Sequence, residues 1–381
     1  MIFLKKVAGT VIYLDHAATT PVRDEVLAAM LPYFSKNFAN ASSGYAAARE
    51  SRKAIDLARH RVAQAIGAKP GEVYFTSGGS EADNWALMGI AAAQPQKKHI
   101  ITTKIEHHAV LHACKALESR GYEVTYLDVD RLGCVTPAAL ERAIGPDTLM
   151  ASVMLTNNEV GTIEPIAALA EAAHRHGILL HTDAVQAVGH IPVDVNALGV
   201  DLLSMSAHKF GGPKGCGALF VKNGVRIDPL IFGGAQERNM RAGTENVPAV
   251  VGMGKAIALS VQKMQEESGK IAALRNELEA GLLSLGGVRV NGDRQNRLPG
   301  HLHVSIDGAN TTLLLMQLDM AGIAASAGSA CSSGAAERSH VITAMGLAGE
   351  NQADIRFSLG AENTQDEIAA VLKAMRRILK R

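Results

Sequence analysis

The chain has 381 residues, 47% hydrophobic and 20% charged, an ordinary globular composition with ample length for a buried core. Lys plus Arg total 38 against 37 Asp plus Glu, so bulk charge recruits neither nucleic acid nor an anionic membrane surface. The N-terminus, MIFLKKVAGTVIYLDH, shows no leader-like apolar core or cleavage site, and no apolar run reaches the roughly 20 residues of a membrane span; a soluble, cytoplasmic protein is expected.

In chain order, residues 72–76, 99–103, 123–127, 149–155, 178–182, 201–204 and 218–221 are short apolar runs that predict strands. Amphipathic or Ala-rich stretches at 81–93, 109–120 and 166–176 predict helices between several of them. This alternation implies an α/β fold, with a mainly parallel sheet covered on both faces and ligands at the carboxyl ends of its strands. Near residue 247 the texture changes. Pro248 opens a long helical region to about Ser284, strand-like pieces follow at 288–290, 302–306 and 355–359, and a helix over 364–380 closes the chain. A large domain over 16–262 and a smaller α+β domain made of 1–15 and 263–381 are expected.

Several chemistries are disfavoured. No GxGxxG leads from a strand into a helix, and neither GK dipeptide extends into a Walker A sequence, so dinucleotide and NTP sites lack their motifs. Cys114, Cys134, Cys216 and Cys331 form no CxxC pair, which argues against a disulfide framework or a zinc site. His174, His176 and His181 flank a helix–strand junction without thiolate or carboxylate company, so no metal site is expected.

Three motifs remain at strand ends. Residues 76–81, TSGGSE, join a strand to a helix; glycines allow close backbone approach and a helix start offers N–H groups to one phosphate, although a plain capped turn fits equally. Residues 204–212, SMSAHKFGG, put Lys209 directly after a buried strand among small residues, which suits Schiff-base chemistry; by itself, a lysine reaching to the surface is the commoner case. Asp183, in HTDAVQ at 181–186, ends another strand and suits either a helix cap or the anion that a pyridinium nitrogen needs.

Taken together with EHHAV at 106–110, NNEVG at 157–161 and RAGT at 241–244, these motifs stand in the order and spacing of one family. The chain resembles the fold-type-I pyridoxal-phosphate enzymes, specifically NifS/IscS-type cysteine desulfurases, from LDHAATT at 14–20 to RFSLG at 356–360. The resemblance implies pyridoxal 5'-phosphate on Lys209, with Asp183 at the pyridine nitrogen and His107 stacked on the ring and able to move protons. It places Gln186 and Asn158 at the phenolic oxygen and the substrate. Gly79, Ser80, Ser206, His208 and, from a second subunit, Thr244 would surround the phosphate. Arg356 would clamp the substrate carboxylate, work for which a guanidinium is well shaped. Cys331, in the small-residue run at 324–336, would accept sulfur from L-cysteine as a persulfide and leave alanine; the other cysteines read as inert small hydrophobes.

A homodimer and an iron–sulfur scaffold or other sulfur acceptor follow as expected partners. IscS-type chains continue past the last helix into a docking tail, whereas this sequence stops at Arg381, so a weaker or different acceptor is expected. Ala41, Tyr45, Ala48 and Asn239 depart from the family pattern, in which proline, histidine, glycine and glycine are usual. These leave room for a selenocysteine lyase or a β-eliminating lyase on the same scaffold. A cofactor-binding partner without turnover is the reading from another class, and the intact Lys209, Asp183, His107, Cys331 and Arg356 set argues against it.

Overall fold

The structure is a computed structural model that describes residues 11–328 and 338–380; Cys331 lies outside the described residues. In chain order the elements are β1 (Ile12–Tyr13), α1 (Asp24–Met30), α2 (Pro32–Ser35), α3 (Ala46–Ala65), β2 (Val73–Thr76), α4 (Gly79–Ala93), β3 (His99–Thr103), α5 (His108–Glu118), β4 (Glu123–Leu127), α6 (Pro137–Ala143), β5 (Thr148–Ser152) and α7 (Ile166–Arg175). They continue as β6 (Leu179–Asp183), α8 (Val195–Leu198), β7 (Leu202–Ser206), β8 (Gly217–Val221), α9 (Val247–Leu283), β9 (Val288–Asn291), β10 (His301–Asp307), α10 (Thr311–Met320), β11 (Ile323–Ala324), α11 (His340–Ala344), β12 (Gln352–Ser358) and α12 (Gln365–Leu379). The chain divides into two compact units, one of Thr20–Asn157 and Ile163–Met264, the other of Met1–Thr19, Asn158–Thr162 and Gln265–Arg381.

In the larger unit, seven strands form one sheet in the order β2-β8-β7-β6-β5-β3-β4. The pairs from β7 through β6, β5 and β3 to β4 are parallel, and β8 runs antiparallel to both neighbours. Because side chains alternate across a strand, adjacent residues feed different cores. Ile101, Leu203 and Phe220 pack in one cluster with Ile55, Val62 and Leu169, while Ile100, Leu202 and Leu219 pack in another with Trp85, Leu87 and Ile90. Burial on both faces explains why β5, β7 and β8 are buried along their whole length, without polar alternation.

In the smaller unit β9, β10 and β12 form an antiparallel sheet with β10 in the centre, and β1 pairs in parallel with β11. Its core joins Val304, Ile306, Ile355 and Phe357 to Leu278, Leu282, Leu314, Leu318 and Val371. Helix α12 begins with a reciprocal capping box between Thr364 and Glu367. The N-terminal helices α1 to α3 have no counterpart in the sequence reading.

Candidate active site

Strands β6 and β7 lie side by side and parallel, with Asp183 opposite Ser204. Asp183 is the last residue of β6, and its Oδ1 accepts the Val185 N–H at 2.9 Å. Burial pushes its carboxyl up to about 6, against the pull of that N–H and of the positive charge on Lys209. Lys209 ends a single 3₁₀ turn, Ala207–Lys209, that leaves β7. Thr20 braces this turn: its hydroxyl donates to the His208 carbonyl at 2.8 Å and accepts the Gly211 N–H at 2.8 Å. His190 donates from Nε2 to the Lys209 carbonyl at 2.8 Å. The sequence reading gave neither Thr20 nor His190 a role, although Thr20 lies within the LDHAATT motif.

At the end of β2 the chain turns through Gly78 into α4, which starts at Gly79 with Ser80 next to it. A Cβ at Gly79 would lie 2.6 Å from Val185 Cγ2 and 3.6 Å from Ser206 Cβ. Only glycine therefore lets the turn come so close to the ends of β6 and β7. The first turn of a helix leaves N–H groups without intrahelical partners, so this cradle suits a phosphate. Glu81 locks the helix start, accepting the Ser77 N–H at 2.8 Å and both arms of Arg241 at 2.9 and 3.0 Å.

His107 follows β3 as the N-cap of α5 and accepts the Ala109 N–H on Nδ1 at 3.1 Å, which places the proton of the neutral ring on Nε2. Burial, then the Lys209 and Lys214 charges, lower His208 to about 4, so its imidazole is neutral at pH 7. Gln186 is buried beyond β6, and Thr244 is exposed. Lys209, Asp183, His107, Gln186, Ser206, His208, Gly79 and Ser80 thus all lie at or just beyond the carboxyl ends of strands in the larger unit.

Beneath Asp183 lies a buried polar chain absent from the sequence reading. Ser152 Oγ lies 2.8 Å from His181 Nδ1, and His181 Nε2 lies 3.0 Å from Ser204 Oγ. Burial lowers His181 to about 3, so the ring is neutral. With Ser204 hydrogen-bonded to Asp83, the protons run consistently from Ser152 through His181 and Ser204 to Asp83. Burial, then the Asp183 charge, hold the Asp83 carboxyl well above its ordinary range. Burial takes Glu106 to about 8 although Met154 N–H and Thr103 Oγ1 donate to it. At Asp183 the Lys209 charge works against burial and favours the anion.

The smaller unit holds Asn158 and Arg356. Arg356 is buried within β12; Nη2 pairs with Asp15 at 2.7 Å, and Nη1 donates to the carbonyls of Asn158 at 2.9 Å and Gly328 at 3.1 Å. Its Nε has no hydrogen-bond partner among the described residues, so a donor beside the Asp15 contact suits a carboxylate.

Three of the four departures from the family pattern have local explanations. Ala48 lies buried inside α3, where alanine is the stronger helix former, and Tyr45 is the exposed residue just before that helix. Asn239 has φ +68°, a left-handed conformation that asparagine tolerates better than other residues with a side chain. Ala41 is buried, and nothing in the structure explains its preference over proline.

Residues 12–371 match the class-V aminotransferase family, and the chain belongs to it. It is 50% identical over 372 residues to the cysteine desulfurase IscS of Methanosarcina thermophila, covering 97% of this chain and 92% of that one. It is likewise 50% identical over 374 residues to the cysteine desulfurase IscS of Clostridium botulinum strain Hall, covering 97% and 94%. Among solved structures, a NifS-like protein superposes with a TM-score of 0.92 at 38% identity, covering 97% of this chain and all of that one. The fold is that of the fold-type-I pyridoxal-phosphate enzymes, and the cofactor is pyridoxal 5'-phosphate. The residues present fit it: an amine at Lys209, a carboxylate at Asp183 within reach of that charge, and a glycine cradle that a Cβ would fill.

Proposed function

We propose that this chain is a cysteine desulfurase that takes sulfur from L-cysteine onto Cys331 and releases L-alanine. The observation that carries this is the convergence of Lys209, Asp183 and the Gly79 cradle at adjoining strand ends in a chain half identical to cysteine desulfurases. When bound, the cofactor supplies an electron sink for the substrate α-carbon. Lys209 would hold it covalently through Nζ. Asp183, whose anion the Val185 N–H and Lys209 favour, would pair with the ring nitrogen; Gly79, Ser80, Ser206 and His208 would hold the phosphate, joined by Thr244 of a second copy. His107 carries its proton on Nε2 and moves protons at the substrate, while Gln186 and Asn158 orient the phenolic oxygen and the substrate. Arg356 receives the substrate carboxylate on its Nε edge.

The Cys331 thiolate attacks the substrate sulfur. A sulfur–sulfur bond forms, the carbon–sulfur bond breaks with its electron pair going to the β-carbon, and that carbon takes a proton. Both sulfurs are oxidised as the carbon is reduced, so no external oxidant is needed. Burial pushes Cys114 and Cys216 up to about 12, which leaves them as thiols unsuited to this attack. Incubation with L-cysteine and a reductant tests the reading: alanine and sulfide should appear in equal amounts. Pyruvate in place of alanine would mark a β-eliminating lyase, and turnover confined to selenocysteine would mark a selenocysteine lyase.

The reading extends to a homodimer. Leu27 on α1, Leu31 between α1 and α2, Phe34 on α2 and Phe38 just after it are exposed in the single chain, Phe38 by 75%, as is Phe232 by 82%. Apolar surface of this kind favours burial against a second copy. The sulfur would then pass from Cys331 to an acceptor protein, an iron–sulfur scaffold by analogy with the IscS relatives. Free Cys114, Cys134 and Cys216 suit a reducing, cytoplasmic compartment, and no helix among the described residues is long and apolar enough to cross a membrane.

A further inference from the structure

We infer that Glu159 is a positioning residue for sulfur transfer, joining the two stretches of chain that flank the segment bearing Cys331. The inference rests on the reading of Cys331 as sulfur acceptor, and its geometry lies wholly in described residues of the smaller unit.

The upstream flank is tied to β12. Ser326 exchanges backbone hydrogen bonds with Arg356 at 3.2 and 2.7 Å, and the Gly328 carbonyl accepts from Arg356 Nη1 at 3.1 Å. Gly328 has φ +100°, and a Cβ there would lie 2.5 Å from Glu159 Oε2. The Glu159 carboxylate therefore occupies the space that a side chain at 328 would need. On the downstream flank, Ser339 Oγ donates to the same Oε2 at 2.5 Å while accepting the Val341 and Ile342 N–H groups that open α11. One carboxylate oxygen thus touches both flanks. The neighbouring Asn158 carbonyl accepts from Arg356 Nη1, so Glu159 is itself referenced to β12.

The chain between these flanks carries Cys331, so the places where its two ends are held bound where its thiol can reach. Small misplacements of a nucleophile have large kinetic consequences. The sequence marks Glu159 only as part of NNEVG; the two flanks reach it through tertiary folding.

The test uses the full cofactor-loaded chain with Glu159→Ala, Glu159→Gln and Ser339→Ala. In Glu159→Ala, kcat for alanine formation should fall by roughly tenfold to a hundredfold, while KM for L-cysteine stays within about twofold. Glutamine can still accept from Ser339, so Glu159→Gln should keep kcat within about threefold of wild type. Ser339→Ala should lower kcat in the same direction and decides the matter if Glu159→Ala does not fold. The visible cofactor absorption should stay intact in all three. A second readout avoids turnover: in cofactor-free protein, the iodoacetamide alkylation rate of Cys331, followed by peptide mass, should change in Glu159→Ala and recover in Glu159→Gln. Wild-type kcat and alkylation rate in a folded Glu159→Ala, or a glutamine variant as impaired as the alanine one, would overturn the inference. Sulfide release at the wild-type rate by Cys331→Ser would instead overturn the reading of Cys331, and alkylation would still report on Glu159.

Discussion

The two units hold their candidate residues by different means. In the larger one, Lys209, Asp183, Gly79 and His107 follow directly from strand ends of one sheet; the Thr20 hydroxyl and His190 imidazole brace the turn at Lys209, and the Val185 N–H orients Asp183. In the smaller one, Arg356 sits inside a strand, and contacts with Asp15, Asn158 and Gly328, far away in sequence, hold its guanidinium. Where topology does the positioning, a side chain can be replaced with the scaffold left standing. Where a side chain is itself the tie, its loss disturbs chemistry and stability together.

The sharpest test of this contrast is Lys209→Ala. It should abolish alanine formation and the covalently held cofactor, yet leave the urea unfolding midpoint of cofactor-free protein nearly unchanged. Borohydride reduction and peptide mapping of the wild type should label Lys209, and a label on any other lysine would defeat the assignment. Arg356→Ala should behave differently, raising KM for L-cysteine and also destabilising the fold by about 3 kcal/mol, because the Asp15 charge and two carbonyls lose their donor. If stability were untouched, the distinction between the two units would fail.

The larger unit has a side-chain tie of its own in the buried pair of Arg59 and Glu237, joined at 2.7 Å on both arms, with the Phe75 N–H also donating to Glu237. Arg59→Ala should cost about 3–5 kcal/mol in denaturant unfolding without changing the site chemistry. Glu237 opens a run of left-handed residues, Glu237, Arg238 and Asn239, so the pair holds strained backbone in the larger unit as well. Asn239→Val should cost about 1–3 kcal/mol and Asn239→Gly much less, which thermal unfolding would resolve.

The last test concerns pH. Burial raises Glu164 to about 8, so the stability it contributes is fully present below the ordinary glutamate range near 4.5 and is lost as pH rises through 8. Glu164→Gln should therefore flatten the fall in urea midpoint between pH 5 and pH 9, as measured across that range. An unchanged slope would show that this carboxyl ionises as readily folded as unfolded.

Much of the fold was legible in the sequence because its strands are short apolar runs separated by turns. The predicted strands at 99–103 and 123–127 coincide with β3 and β4, and the long helix from Pro248 lies within one residue of α9. Boundaries slipped where tertiary contacts set them. The run at 149–155 stays in its strand only to Ser152, and Ser204 does not end β7, which continues to Ser206 beside Gly217. The motifs marked Lys209, Asp183 and the Gly79 turn because each combines a strand end with a residue of particular chemistry. They could not show Thr20 bracing His208, Ser152 and His181 leading to Asp83, or Glu159 meeting both Gly328 and Ser339. Those partners lie far apart along the chain, and their chemistry is ordinary until folding removes water and leaves each polar group to find its hydrogen bond in the protein. Sequence by itself determined which residues carry chemistry and which strands present them; tertiary packing alone decided which buried carboxyl stays charged and which side chains hold the ends of the cysteine-bearing segment, since both depend on desolvation and on contacts between distant residues.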